Sequence, residues 1–474
     1  MKNSDRLWEI VETHRAAFTG LADRVFDTPE VAYTEYESCA AHAGMLEATG
    51  ARITRDLAGI PTAVMGEWGA ETNGGGPVIA ILGEYDALPE LGQEPGVAEE
   101  RPLGRSGHGC GHNLLGAAAL MAAVALRDYL AKRGLPGRVR YYGCPAEEGG
   151  AAKTFMVRAG LFDDVDAAIS WHPADYTGVF EANSLANTRI DFTFHGRAAH
   201  AAGSPELGRS ALDAVELMNV GVNYLREHMP DDARVHYAYL DAGGTAPNVV
   251  PAKATVRQLI RTRRLRDLNG LVERVRKIAE GAALMTGTRV ETKVVSAVSD
   301  LLGNRVLEEA MQANMDRLGP PDFDAADLPF AQAIRATLTE EHIADTFRRT
   351  GRPVDPDLAL CDFVVPLDSA PQAAMGSTDV GDVSWAVPTV QAWVATCAIG
   401  TPFHSWQLTA QGKAPAAHKG MVHAAKIMAM TARDLFERPE LLAAAKAAHA
   451  AHLAREPYRC PMPDEVMPPI PVRR

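Results

Sequence analysis

Two short stretches hold side chains suited to chemistry. Gly107-His108-Gly109-Cys110-Gly111-His112-Asn113 sets a thiol and an imidazole two residues apart among glycines. Cys144-Pro145-Ala146-Glu147-Glu148-Gly149-Gly150 supplies two adjacent carboxylates. Zinc and related metals take Cys, His and carboxylate ligands, and a catalytic site keeps one position open for water. Ligands flanking a single residue need a sharply bent loop, which glycine permits. The plainer alternative for this loop is a glycine-rich turn with a buried thiol and a helix-capping histidine. On extended backbone, neighbouring side chains point to opposite sides. One of the Glu147–Glu148 pair can then bind metal while the other takes a proton from water. The alternative is an exposed acidic pair. Together the two stretches point to a metal-dependent hydrolase.

Those residues need elements to position them. Pro77 to Gly83, Val139 to Gly143, Ala167 to Trp171 and Val390 to Ile399 are short apolar runs bounded by turn signals, so each reads as a buried strand. Just past their carboxyl ends come Asp86, Glu147, Glu148, His172 and His404. In a mostly parallel α/β sheet that edge is where ligands bind. His172 and His404 are therefore ligand candidates, although a single histidine is more often structural. Asp86 suits a hydrogen bond to a ligating histidine, or else a turn before Pro89. His108 reads as a neighbour of the site. Leu114 to Leu130 is apolar nearly all round and reads as a buried helix, with Asn113 as its cap and Gly134 as its stop.

From Ser184 to Val298 the pattern changes. Alternating strands and amphipathic helices follow in the order β-α-β-β-α-β, the split pattern of a two-layer α+β domain. The expected organisation is a catalytic domain over 1–184 and 299–474, interrupted by a smaller domain over 185–298. An insertion is expected near 305–375. His195 and His200 fall in the smaller domain. There they could reach a site only from across an interface, or else serve as interface or cap residues. Arg261 ends one of its strands and suits a substrate carboxylate, or a plain surface role. The tail from Leu441 to Ala454 reads as an alanine-rich surface helix, and Pro461 to Pro471 as loosely ordered.

The chain has 474 residues, a 47% hydrophobic fraction and a formal net charge of −13. That length allows two to four domains at about 150 residues each. The acidic balance argues against nucleic-acid binding, which needs a basic face. No apolar run is read as a membrane span, and Met1 to Asp5 shows no secretory leader. Six scattered cysteines form no disulfide framework, so a cytoplasmic protein is expected.

Gly107 to Gly116 (GHGCGHNLLG), Gly376 to Trp385 (GSTDVGDVSW), Gly400 to Trp406 (GTPFHSW) and Ala417-His418-Lys419-Gly420 together resemble the M20-type metallopeptidases. Within that family the chain is similar to the amidohydrolase branch carrying Cys-Gly-His. Asn113 and the Thr378-Asp379 pair depart from the wider branch and match its p-aminobenzoyl-glutamate-like group.

The resemblance implies a mostly parallel α/β catalytic domain with a ferredoxin-like lid and dimerisation domain. It implies two divalent metals, zinc or manganese with cobalt also suited, held by Cys110, His112, Glu148, His172 and His404. Glu147 would be the general base. His200 would stabilise the oxyanion from the partner subunit, and Asn248 of Asn248-Val249-Val250-Pro251 would lie near substrate. The implied substrate is an N-acyl amino acid or dipeptide-like molecule with a free carboxylate, of the p-aminobenzoyl-glutamate type. A broader dipeptidase or an indole-acyl amino acid hydrolase is the second enzyme reading. An inactive metal-binding partner subunit is the non-enzyme one. A homodimer through the lid is expected, or a hetero-oligomer with a related subunit.

Overall fold

The computed structural model describes residues 6–69, 75–369 and 376–472. Met1 to Asp5, read above for the absence of a leader, lies outside the described residues, as does the end of the 305–375 insertion.

Twelve strands are described: β1 (Arg52–Arg55), β2 (Val64–Trp68), β3 (Val78–Glu84), β4 (Arg138–Cys144), β5 (Ala167–Ala174), β6 (Thr177–Val179), β7 (Ala186–His195), β8 (Arg234–Asp241), β9 (Lys253–Thr262), β10 (Arg289–Val298), β11 (Val364–Val365) and β12 (Thr389–Ala395). They form two sheets. The larger runs β1-β2-β4-β3-β5-β12-β6-β11 and the smaller β10-β7-β9-β8.

In the larger sheet β4, β3, β5 and β12 are mutually parallel neighbours. Every residue of β3 and β12 is buried, because helices cover both faces, as a parallel sheet requires. Alternate residues of β3 serve different cores. Ile79 and Ile81 pack with Leu115, Leu126 and Met428 on one side. Val78, Ala80 and Leu82 pack with Phe155, Met156 and Val383 on the other. Each such buried side chain contributes about 1.5–3 kcal/mol.

The helix His112–Arg133 forms the centre of the first core. Ala, Leu and Met, all strong helix formers, fill it, and its residues from His112 to Leu126 are all buried. Gly111 at φ 77° begins the helix and Gly134 at φ 63° ends it. Asn113 is therefore not the cap. It lies inside the first turn, and its amide donates to the carbonyls of Ala22 (3.4 Å) and Gly412 (3.1 Å). By length and composition alone this helix could cross a membrane, although Arg127, Asp128, Lys132 and Arg133 interrupt its apolar run. It is instead sandwiched between the sheet and the helices Arg6–Asp27 and Pro415–Glu437.

The smaller sheet is antiparallel throughout. The helices Ala211–Leu225 and Leu265–Thr286 pack on one of its faces. Leu268, Leu271, Val275, Ala279 and Ala282 form the buried stripe of the second helix. β7 alternates strictly between buried and half-buried residues. The buried set, Ile190, Phe192 and Phe194 among them, belongs to the core shared with those helices.

Two regions differ from expectation. Within the 305–375 insertion, the helix Arg305–Leu318 sends Leu307, Met311 and Met315 into the first core, so this part packs with the larger sheet. Pro461 to Pro471 has no regular secondary structure, yet it is tied down. Arg158 donates to the carbonyls of Pro463 (2.6 Å) and Val466 (2.8 Å), and Met462 is buried. The helix Pro439–Leu453 also buries Leu442, Ala445 and His449.

Candidate active site

The carboxyl ends of β3, β4, β5 and β12 bring four distant segments to one place. β3 ends at Glu84, with Asp86 two residues on. After β4, the chain turns through Ala146 at φ 56°, and the amide of Gly150 donates to the Ala146 carbonyl at 2.9 Å. The Glu147–Glu148 pair thus sits in a turn rather than on extended backbone. The two carboxylates still diverge. Glu147 falls within a set with Glu84 and His112, and Glu148 within a set with Cys110 and His404. His172 lies inside β5, not beyond it, and is in register with Trp393 of β12.

His404 arrives from the loop after β12. It adopts φ 57°, a left-handed conformation uncommon for a non-glycine residue. Its amide donates to the Gly109 carbonyl at 2.8 Å. That bond ties the last ligand candidate to the loop carrying the first, and such over-determined strain is typical of functional sites.

Besides the Glu84, His112 and Glu147 set, donor atoms cluster in two triads that share one sulfur. Cys110, His112 and His172 form one, and Cys110, Glu148 and His404 the other; in each, the donor atoms lie within 4.8 Å of one another. Cys110 Sγ is 3.4 Å from His172 Nε2, and His404 Nε2 is 3.2 Å from Glu148 Oε1. The imidazoles are oriented from behind. His112 Nδ1 is 2.9 Å from Asp86 Oδ1, and His172 Nδ1 is 2.8 Å from the Pro173 carbonyl. A proton on each Nδ1 leaves Nε2 bare towards the cluster, the usual arrangement for a metal-bound histidine. His112 Nε2 is buried and lies 3.4 Å from Glu84 Oε2, on the side of Cys110. Burial and the Glu148 charge push the Cys110 thiol well up, and a bound cation reverses that kind of penalty. Buried imidazole nitrogens, a buried thiol and a carboxylate converging from separate segments fit a pair of divalent metals.

Glu147 has a different environment. Burial, then the charges of Glu84 and Glu148, hold its carboxyl well above the usual carboxylate range. It lines the same cavity of about 500 Å³ as Cys110, Glu148, His172 and His404. Asp86 does not line it. Asp86 is buried behind the site, where one oxygen holds His112 and the other accepts the Glu148 amide at 2.9 Å.

Arg261 lines the cavity, but His200 and Asn248 do not. His200 Nδ1 accepts from the amides of Ala202 (3.2 Å) and Gly203 (3.0 Å), and the Asn248 carbonyl accepts from the Ala201 amide at 3.0 Å. His195 lies 3.4 Å from Glu291 within the smaller sheet. His108 is a packing residue, buried and 3.0 Å from the Val25 carbonyl.

Sequence reading missed three buried charges behind the cluster. Lys153 Nζ lies 2.6 Å from both Glu84 Oε1 and Asp379 Oδ1. Burial opposes the charge on Lys153, but Asp379 and Glu84 hold its pKa well above the lysine range. A signal was available: Lys153 is the single charge in Ala151-Ala152-Lys153-Thr154-Phe155-Met156-Val157. A charge in so apolar a run must be paired. Glu84 closes the strand that delivers Asp86, so the strand-end rule applied to both.

Residues 80–429 match the model of peptidase family M20/M25/M40, and the chain belongs to that family. It is a metal-dependent hydrolase of amide bonds. Over 472 residues it is 46% identical to one of the subunits of the p-aminobenzoyl-glutamate hydrolase of Escherichia coli (strain K12), covering 97% of both chains. It is 27% identical to the Xaa-Arg dipeptidase of Mus musculus, covering 94% of this chain and 89% of that one. The fold matches that of a dinuclear metal binding M20 peptidase of Bacillus subtilis with a TM-score of 0.57 at 20% identity, covering 89% and 99% of the two chains.

Proposed function

We propose that the chain hydrolyses the amide bond of an N-acyl amino acid with a free carboxylate, of the p-aminobenzoyl-glutamate type. One observation carries the reading: Cys110, His112, Glu148, His172 and His404 gather at one sheet edge, with Glu147 beside them in the same pocket region. The similarity to a p-aminobenzoyl-glutamate hydrolase chain supports the substrate class. The aromatic wall of the cavity also supports it. Trp393 stacks on Phe180 at 4.2 Å, and Phe403 lies 6.0 Å from Trp393, a surface suited to an aromatic acyl group.

Cys110, His112, Glu148, His172 and His404 would hold two divalent metals, zinc or manganese. Such a pair supplies carbonyl polarisation and a water of lowered pKa when bound. Glu147 takes the proton of the attacking water and returns it to the leaving nitrogen as the C–N bond breaks. Its raised pKa suits a group that must hold the proton between those steps. Asp86 fixes His112 and the Glu148 backbone.

His200 and Asn248 are assigned to the neighbouring subunit's site, which accounts for their absence from their own cavity. The smaller domain, residues 185–298, would form that interface, and residues 1–184 and 299–474 the catalytic body. β8 is an edge strand of its sheet and exposes Tyr237, Tyr239 and Leu240. A bare apolar edge of this kind favours pairing with a second chain, a copy or a related subunit. All six cysteines are free thiols, which fits a reducing compartment.

The deciding experiment joins metal analysis to turnover of p-aminobenzoyl-glutamate by the wild type and Glu147→Gln. The variant should keep its metals and lose turnover. Cleavage of esters or sugars alone by the wild type would defeat the reading.

A further inference from the structure

The helix-free face of the smaller sheet points Asn187, Arg189, Arg261 and Ser296 into the cavity. Register explains the grouping. Asn187 pairs with Arg261 and Arg189 with Leu259 across β7 and β9, so Arg189 and Arg261 are diagonal neighbours on one face. Ser296 of β10 pairs with Arg189 from the other side.

Three arginines share this face, and one of them is neutralised. Arg257 makes a two-pronged bond to Asp191 at 2.6 and 2.9 Å. Arg189 and Arg261 form no ion pair among the described residues. Residues 370–375, Ala-Pro-Gln-Ala-Ala-Met, which lie outside the described set, contain no acidic side chain. Burial, reinforced for Arg189 by Arg257 and Arg261, lowers both pKa values, so each charge is held at a penalty. Arg261 Nε is buried without a hydrogen-bond partner. Arg189 also reaches the reacting end of the cavity. A Cβ added to Gly149, next to Glu148, would meet its Nη1 at 3.2 Å.

One carboxylate binds one guanidinium in the two-pronged fashion. A substrate with a single carboxylate would leave the second, half-buried cation unpaired. We propose that Arg189 and Arg261 form a double carboxylate clamp, so that the pocket selects N-acyl derivatives of acidic amino acids. Arg261 was expected to meet one carboxylate; Arg189 is the residue that makes the site specific for two. This proposal rests on the amide-hydrolase reading above.

The test uses the metal-loaded full chain with p-aminobenzoyl-glutamate, -glutamine and -alanine. The wild type should prefer the glutamate compound. Arg189→Gln should lower kcat/KM for that compound by about 10–100-fold, the worth of one hydrogen bond to a charged group, chiefly through KM. The alanine compound, with one carboxylate fewer, should lose less. Arg189→Lys should recover part of the loss. Arg189→Gln should melt no lower than the wild type, because it removes an unpaired, half-buried charge. Equal wild-type rates on glutamate and alanine compounds overturn the clamp while leaving the hydrolase reading intact. So does an equal loss on both in Arg189→Gln. If no N-acyl amino acid is cleaved, the hydrolase reading fails, and calorimetry still decides the clamp. Arg189-dependent preference for glutarate over butyrate supports it, and equal binding overturns it.

Discussion

The two sheets of this protein deliver functional side chains in opposite ways. The larger sheet is covered on both faces, so every residue of β3 and β12 is buried. Its chemistry can appear only where the strands stop, at Asp86, Glu147 and Glu148, or at the last residues of a strand, as at His172. The smaller sheet is covered on one face only. Every second residue of β7 is free for other uses, and Asn187 and Arg189 line the cavity. A doubly covered sheet offers an edge and suits compact ligand clusters. A singly covered sheet offers a face and suits recognition of an extended substrate.

The largest test of that division is at the edge. Glu147→Gln should lower kcat by about 10³-fold while metal content holds, since proton transfer by a positioned side chain contributes that much. Mass spectrometry of the metals beside steady-state kinetics checks it. If metal leaves with the activity, Glu147 is a ligand and the edge holds no separate base.

The next test reaches behind the edge. Asp86→Asn keeps the shape but weakens the hold on His112 Nδ1. Metal affinity should fall about 10–100-fold, the usual effect of removing such a support. Titration with a competing chelator measures it, and an unchanged affinity would assign Asp86 to packing alone.

A third test concerns the smaller sheet. Tyr237→Glu with Tyr239→Glu places charge on the β8 edge, and the assembly should dissociate on light-scattering chromatography. If subunits exchange His200, mixing His200→Ala with Glu147→Gln should restore part of the activity that each lacks alone. No recovery, with exchange of subunits shown, would return His200 to its own chain.

The smallest effect lies outside both sites. Burial holds the Glu308 carboxyl at about 7, above its ordinary 4.5. The folded state therefore prefers the protonated form, and the stability tied to that proton is full below about 4.5 and lost as pH rises through about 7. Glu308→Gln should match the wild type at pH 4.5 and exceed it at pH 8 by roughly 1–3 kcal/mol. Thermal melts at the two pH values decide this. A variant weaker at pH 8 would show that Glu308 serves better as an anion.

Much of the fold was legible because apolar period and turn chemistry are local. The four central strands and the β-α-β-β-α-β segment lie within a few residues of where the sequence places them. The failures are also local in kind but tertiary in cause. Asn113 has the right chemistry for a cap, yet Gly111 alone tolerates φ 77° there, and Asn113 is needed to satisfy the carbonyls of Ala22 and Gly412. The long apolar helix, by contrast, is read from its all-round apolar pattern as buried, and its packing bears that out.

By itself the sequence determined which residues can bind metal and which strand ends present them, since side-chain chemistry and hydrophobic period are properties of the chain. It could not decide which charges meet. The Lys153 pairing with Glu84 and Asp379, the sharing of one sulfur between two donor sets, and the convergence of Arg189 and Arg261 each depend on strand register and crossover. Those distances span tens to hundreds of residues along the chain, and only the closed fold brings them within a few ångströms.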